Sequence, residues 1–419
     1  VKKKDVFCCL PFNSISVAPF GAIRVCCNNY NLPRNERGEY YSFNNDDFDL
    51  KEALNSDFYK ELRLSMVKGE RHPSCHRCWD IENQGGMSYR QAWENRYERR
   101  FESYIENMNP DGSLKQIRGD YVEFTLGNTC NLKCRMCNPF SSIQWLKEAK
   151  SLGLISEGEE NELKNYNWFE KPKFASAVDS LLKSTDRLNI LGGEPLIIPE
   201  QFQILQKAID LGYASNMEVQ YNTNLTKLDP RLLPMWTKFK RVFLNVSVDA
   251  VGELNEYIRH PMNWKKFLDN LQTLKGWAEV APLSISLHCT FQALNVLELH
   301  RLYDFVYNLG YGFARIPFVI WVNYPEYHDP RILPRELREK AYRLQSDWIQ
   351  SVDQSNLIDY EVSWLSMMKS HVENLLTDWP EEKRNTELER FRKITKSVDR
   401  LRGEDIGALI PDLKSILNK

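Results

Sequence analysis

Long hydrophobic runs are missing from this 419-residue chain. No apolar stretch is long enough to cross a bilayer as a helix and no signal peptide is visible, so no membrane partner and a cytoplasmic setting are expected. An excess of charge of one sign is missing too. The 55 Lys and Arg residues nearly cancel the 57 Asp and Glu, leaving a net charge of −2. Without a global basic field, nucleic acid is a disfavoured partner. The short basic patches, "KKK" at 2–4 and "RYERR" at 96–100, read as solvated surface. Low-complexity segments and internal repeats are also lacking. What remains is ordinary globular composition, 42% hydrophobic and 27% charged, on a chain long enough for two or three domains.

Beyond residue 137 cysteine nearly vanishes: Cys289 is the one that remains, and the other nine of the ten crowd into residues 8–137. A secreted disulfide framework is the ordinary reading of crowded cysteines. It fits poorly here, because the chain is large and the thiols stand at metal-ligand spacing. A reducing compartment with metal–thiolate sites fits better.

Three blocks follow from the patterning. Residues 1–112 hold three cysteine groups among short strand and helix signals, with "FYKELRLSMVKG" (58–69) as a helix leading to "CHRC". Residues 113–328 alternate β-favouring runs with helical stretches. The strand candidates are 121–126, 187–191, 217–222, 242–248, 283–291 and 314–322, with helices such as 174–184 and 264–280 between them. That alternation predicts an α/β fold with a parallel sheet, a partial (β/α)6 TIM-like barrel whose chemistry sits at the carboxyl ends of its strands. Residues 329–419 are expected to form a helical C-terminal region.

The segment "CNLKCRMC" places Cys130, Cys134 and Cys137 directly after the first of these strands. Three thiolates can hold three irons of a four-iron cluster and leave the fourth iron open, as a catalytic metal keeps one position open. A zinc site completed by a ligand from elsewhere, such as His288, is the alternative. "LGGEPL" (191–196) ends the second strand, and "SVDA" (247–250) ends the fourth with a hydroxyl and a carboxylate. Strand alternation puts Asn245, Ser247 and Asp249 on one face. Glu218, Gln220, Asn222 and Asn224 share that phase, as do His288, Thr290 and Gln292, and Glu123 and Thr125. A face so polar reads as the wall of a ligand cavity. Cys289 falls on the opposite, apolar phase and reads as a small buried hydrophobe.

Cysteine loop, "GGEP" and "SVD", in this order and at these strand ends, resemble the radical S-adenosylmethionine superfamily over roughly residues 118–325. The resemblance implies that Cys130, Cys134 and Cys137 ligate a 4Fe-4S cluster whose open iron is chelated by S-adenosylmethionine. It also implies that Gly192, Gly193, Glu194 and Pro195 line the methionyl amine. Ser247 and Asp249 would serve the ribose and methionyl portion, with Asn224 among the cofactor-binding set. Arg259, in "EYIRHP", is a candidate fork for the carboxylate, or else a surface ion pair. The activity implied is reductive cleavage of S-adenosylmethionine to a 5′-deoxyadenosyl radical, which takes a hydrogen atom from substrate.

The groups "FCCLPF", "GAIRVCC" and "CHRC" resemble the auxiliary-cluster region of SPASM and twitch radical enzymes. Gly21 and Cys26 satisfy its G-x-x-x-x-C spacing, and "CHRCWDIENQGGMSYRQ" is similar to a cluster segment of twitch-type members. Here the module precedes the barrel. The expected ligands of a second 4Fe-4S cluster are Cys8, Cys26, Cys75 and Cys78. Cys9 and Cys27 are alternates, since adjacent residues cannot easily both aim at one site. Structural zinc is the competing occupant, and electron relay and stapling of a small domain are the competing roles. A reductant such as flavodoxin or ferredoxin is the implied partner. The resemblance makes a peptide the first substrate class, ahead of a nucleotide, a nucleobase or a small metabolite. Only seven residues precede Cys8, so peptide recognition would fall to a partner protein or to the helical C-terminal region. A non-enzymatic iron–sulfur or zinc module is the remaining class.

Overall fold

The computed structural model describes residues 3–83 and 87–417. Lys2 of the basic patch and Gln84, Gly85 and Gly86 of the "CHRC" string lie outside the described residues. The chain forms eight strands: β1 (Ser14–Val17), β2 (Ile23–Arg24), β3 (Tyr121–Leu126), β4 (Arg187–Gly192), β5 (Glu218–Thr223), β6 (Arg241–Ser247), β7 (Leu283–Phe291) and β8 (Phe318–Trp321). Their order in the sheet is β2-β1-β3-β4-β5-β6-β7-β8. β1 runs parallel to β3, β3 to β4 and β4 to β5, while β6, β7 and β8 are likewise parallel; β2 is antiparallel to its neighbour β1. β3 to β8 are the six strands expected from the sequence, separated by helices such as Pro172–Leu182, Glu200–Asp210, Trp264–Trp277 and Leu299–Tyr307.

Two compact units emerge. The first is Val1–Thr129 with Lys164–Tyr221 and Pro234–Arg241; the second is Cys130–Leu163 with Asn222–Leu233 and Val242–Lys419. These units do not follow the sequence blocks cut at 112 and 328. The cause lies in β1. Its backbone pairs in register with β3, Ser14 beside Tyr121 through Val17 beside Phe124, so the N-terminal cysteine segment extends the sheet. Four residues are too short a run for alternation to announce a strand, and all four are buried.

In the first unit, Phe124 meets Phe174 edge-on at 5.0 Å, and Trp168 meets Phe174 at 4.8 Å. The opposite face of β3 carries charge. Glu123, 1% exposed, takes Ser16 Oγ at 2.7 Å, Arg24 Nη2 at 2.8 Å and Tyr121 O–H at 2.7 Å, and Asn189 Nδ2 at 3.1 Å. A buried carboxylate survives only when it is paired and hydrogen-bonded, and here β1, β2 and β4 all contribute to that pairing.

In the second unit β6 and β7 keep the expected phases. Leu244, Val246, Leu287, Cys289 and Phe291 are buried, while Asn245, Ser247, His288 and Thr290 are half-buried on the other face. The last expected strand is shorter than its apolar run, Phe318–Trp321 instead of 314–322. Pro317 has no N–H to offer a ladder, and upstream Ala314 N bonds Ile285 O while Arg315 N is taken by Glu361. Four of the helices beyond residue 330 are Arg335–Ser351, Asp359–Asn374, Glu381–Arg402 and Pro411–Leu417. No helix among the described residues is long and apolar enough to cross a membrane.

Replacing Arg24 by Met is expected to leave Glu123 buried without its counter-ion, costing about 3–5 kcal/mol. A lowered denaturant midpoint of the purified protein checks it, and an unchanged midpoint would show that the neutral donors alone suffice.

Candidate active site

Cys130, Cys134 and Cys137 open the second unit on a loop that is itself well held. Cys130 and Cys134 are buried and Cys137 is half-buried. Burial pushes the Cys134 thiol up; the Arg259 guanidinium works against this, and Cys137 and Cys130 add to it. Cys137 is also raised by burial, with the Asn138 amide, Arg259 and Ser141 opposing. The three thiols therefore share one electrostatic neighbourhood with one cation. Such a donor set fits a centre that takes thiolates and supplies the missing positive charge. Asn224, at the end of β5, donates to Asn131 Oδ1 at 3.1 Å and lies 3.9 Å from Cys130 Sγ.

Asp249 and Arg259, ten residues apart in the sequence, meet in an ion pair, Arg259 Nε to Asp249 Oδ2 at 2.8 Å. Asp249 is fully buried and Arg259 8% exposed, so the pair is an interior one and not on the surface. Burial pushes the Asp249 carboxyl up, against the pull of Arg259 and of the Thr290 amide, which donates to Oδ1 at 2.8 Å. Asp249 does not cap the following helix, Glu253–Ile258, whose N-cap is Gly252. The turn is fastened by Asn255, whose Oδ1 accepts from the Asp249 and Ala250 amides, and by Asn295, whose Nδ2 donates to Asp249 O at 2.9 Å. Nothing in the sequence marked these two asparagines. Ser247 stands half-buried at the end of β6 on the face of Asn245.

His288 lies elsewhere in the same unit. Its Nε2 is 2.9 Å from Ser286 Oγ, its ring packs on Phe318 at 4.8 Å, and burial holds its pKa down to about 3. Cys289 is buried, 3.6 Å from Asn295 Nδ2, with burial raising its thiol well up.

The "GGEP" segment belongs to the first unit. A Cβ on Gly193 would stand 2.5 Å from Thr129 O, and Glu194 N donates to that same carbonyl at 2.9 Å. The second glycine is thus required by a backbone contact before any ligand is considered. Glu194, 1% exposed, accepts from Leu196 N at 3.0 Å, and Pro195 is buried.

Cys8, Cys26, Cys75 and Cys78 also belong to the first unit, and they sense one another. Burial raises Cys8, and Cys9, Cys75 and Cys26 raise it further; burial raises Cys26, with Cys27, Cys75 and Cys78 adding. Cys75 is pushed to about 11 by burial, with Cys78 among the groups adding to it. Cys9 and Cys27, the alternates, also feel carboxylates. Cys9 is raised by burial and then by Glu94 and Asp120; Cys27 is raised to about 12 by burial and Glu123, against Arg24 and Tyr89. Gly21, five residues before Cys26, holds φ +88°, and a Cβ there would press on Trp168 at 2.7 Å. Arg63, buried in the helix Asp57–Lys68, ties the module together by donating to the carbonyls of Pro11, Leu54 and Gly112. Among the described residues no three His, Cys, Asp or Glu side chains converge on a single ion position. A four-iron cluster binds each thiolate at a different iron, so its ligands do not meet at one point.

Asp249→Ala would leave Arg259 as an interior charge without its ion, at a cost of about 3–5 kcal/mol. Asp249→Ala with Arg259→Met should recover part of that loss, and melting of the singles and the double measures the coupling. Additive losses would mean that the ion pair contributes nothing.

The model of the Radical SAM superfamily matches residues 124–276, and that of the SPASM iron–sulfur cluster-binding domain matches residues 8–79. No curated protein sequence matches. Similar solved structures include native anSMEcpe with bound AdoMet and Cp18Cys peptide, at 16% identity and TM-score 0.38, over 56% of this chain and 61% of that one. Another is Streptococcus suis SuiB bound to precursor peptide SuiA, at 13% identity and TM-score 0.36, over 81% of this chain and 69% of that one. The chain thus spans about three fifths of anSMEcpe. The chain carries an iron–sulfur cluster-binding SPASM domain followed by a radical SAM domain.

Proposed function

We propose that this enzyme modifies a peptide. Cys130, Cys134 and Cys137 hold the cluster that receives S-adenosylmethionine, and Cys8, Cys26, Cys75 and Cys78 hold a fully ligated auxiliary 4Fe-4S cluster. Once reduced, the three-cysteine cluster supplies the electron that cleaves S-adenosylmethionine to the 5′-deoxyadenosyl radical, which takes hydrogen from substrate. A flavodoxin or ferredoxin is the proposed electron donor.

The observation that carries the peptide reading is the chemistry of one face in the second unit. Asn245 Nδ2 donates to Asn222 Oδ1 at 2.7 Å, Ser286 Oγ to Asn245 Oδ1 at 3.3 Å, and His288 Nε2 lies 2.9 Å from Ser286 Oγ. Burial keeps that histidine neutral. Amides and hydroxyls in a row suit the N–H and C=O groups of a peptide, whereas a nucleotide phosphate calls for cations, and Asn222, Asn245, Ser247, Ser286, His288 and Thr290 bring none.

The chain's own groups then have separable tasks. Arg259 spends Nε on Asp249 and keeps the rest of its fork for the methionyl carboxylate. Gly192, Gly193, Glu194 and Pro195 serve the amine, Asn224 stands beside Cys130, and Ser247 and Asp249 serve the ribose side. Four thiolates on the auxiliary cluster leave no open iron, which suits electron relay or stapling and not direct substrate capture.

Anaerobic reconstitution is expected to give about eight irons per chain, two clusters of four. Ala at 130, 134 and 137 together should abolish 5′-deoxyadenosine release and leave about four irons. Ser at Cys9 and Cys27 should leave the full count, whereas Ser at Cys8 or Cys26 should remove the auxiliary cluster. Stoichiometric zinc in the N-terminal module would overturn the auxiliary assignment. Product formed from a nucleotide but from no peptide would overturn the substrate class.

A further inference from the structure

The cysteine loop is tied down along its backbone by side chains distant in sequence. Four successive carbonyls each accept from one: Leu132 O from Ser142 Oγ, Lys133 O from Arg402 Nη2 at 2.9 Å, Cys134 O from Trp145 Nε1 at 2.9 Å, and Arg135 O from His328 Nε2 at 3.0 Å. The amides of Lys133 and Arg135 donate to His260 O and Ile258 O, both at 2.7 Å. Irregular backbone in a protein interior must satisfy its polar groups somehow, and here most of the donors are brought to it.

Two interior charge groups flank Cys134. Glu148 is shared by Lys133 and Arg402, the latter at 2.7 Å from Nη2 and 3.2 Å from Nε. Arg135 reaches Asp399 at 2.7 Å and also pairs with Glu404. The side chains of Arg402, Arg135 and Glu148 are 1%, 3% and 9% exposed. Arg135 lies 3.8 Å over the ring of Tyr257, whose O–H donates to Asp399 at 2.8 Å, and Arg402 lies 4.9 Å over Trp145. Surface ion pairs would hold nothing in place, but pairs this buried cannot let go without stranding a charge.

We propose that the end of the helix Glu381–Arg402, with Glu404 just beyond it, is a positioning element for the cluster-binding loop. Arg402, Asp399 and Glu404 grip Lys133 and Arg135 on either side of Cys134 and so fix how that thiolate is presented. The inference rests on reading Cys130, Cys134 and Cys137 as cluster ligands. Arg402, Asp399 and Glu404 are positioning residues, acting through Lys133 and Arg135. An unbraced eight-residue loop would have to be ordered at the moment of cluster binding, and the brace removes that cost beforehand.

The test separates the brace from the cluster. Amide hydrogen exchange at Lys133 and Arg135 is measured in cluster-free protein, wild type against Arg402→Met and Asp399→Asn. Electron paramagnetic resonance of the reconstituted, reduced proteins then reads both clusters, the auxiliary one serving as internal reference. The expected result is exchange faster by about tenfold or more at those two amides. The signal of the cluster at 130–137 should be weakened or altered beside an unchanged auxiliary signal. Arg402→Lys, which keeps the charge but not the fork, should restore it in part. Unchanged exchange in both variants overturns the proposal, as does equal loss of both signals, which would mean general destabilisation. Wild-type protein that protects these amides yet takes up no iron at the loop overturns the cluster reading, and with it the purpose of the brace.

Discussion

Thiols gathered away from water are the constraint around which this chain is organised. Each thiolate in such a group raises the others, and burial raises all of them, as Cys8, Cys26 and Cys75 show. A gathering of this kind has a purpose only if a metal centre takes the charge. The polypeptide must meanwhile deliver its sulfurs from distant segments and hold them there. It does so differently in its two units. The first uses a parallel strand, β1, and a buried arginine, Arg63, whose recorded hydrogen-bond partners are mostly carbonyls. The second uses interior ion pairs around a loop of irregular backbone.

The same constraint separates the two members of each CC pair. Adjacent residues in an extended or turning segment project in different directions, so one of each pair must find another environment. Cys27 finds Arg24, Glu123 and Tyr89, and Cys9 finds Glu94 and Asp120. Both destinations are polar and occupied. Cys9 and Cys27 therefore sit in polar surroundings, where small side chains of moderate polarity are tolerated.

Much of this was legible in the sequence, because the signals were periodic or local. β3 and β7 match their apolar runs residue for residue, and the polar face of β6 and β7 followed from alternation. The order of cysteine loop, glycine turn and Ser-x-Asp strand end was enough to anticipate the domain that the comparisons found. What stayed hidden was pairing across long separations. Nothing in "SISV" announces a parallel strand, and nothing in "EYIRHP" says that Arg259 is the counter-ion of Asp249. Arg402 and Glu148 are 254 residues apart, and no local pattern pairs them. A clue did exist in "CNLKCRMC": Lys133 and Arg135 are cations inside a loop of buried thiols, and buried cations require partners.

Asp249 shows how a structural and a functional account of one residue can both hold. Its Oδ1 is engaged by the Thr290 amide, its Oδ2 by Arg259, and its backbone by Asn255 and Asn295. A carboxylate so restrained is a poor flexible ligand but a good fixed one, since binding it costs no further loss of freedom. Its ion pair with Arg259 also sets that guanidinium beside Cys134, whose thiol it pulls downward. One carboxylate thereby helps determine the electrostatics of the cysteine loop, in the way that partners behind a metal ligand tune the metal.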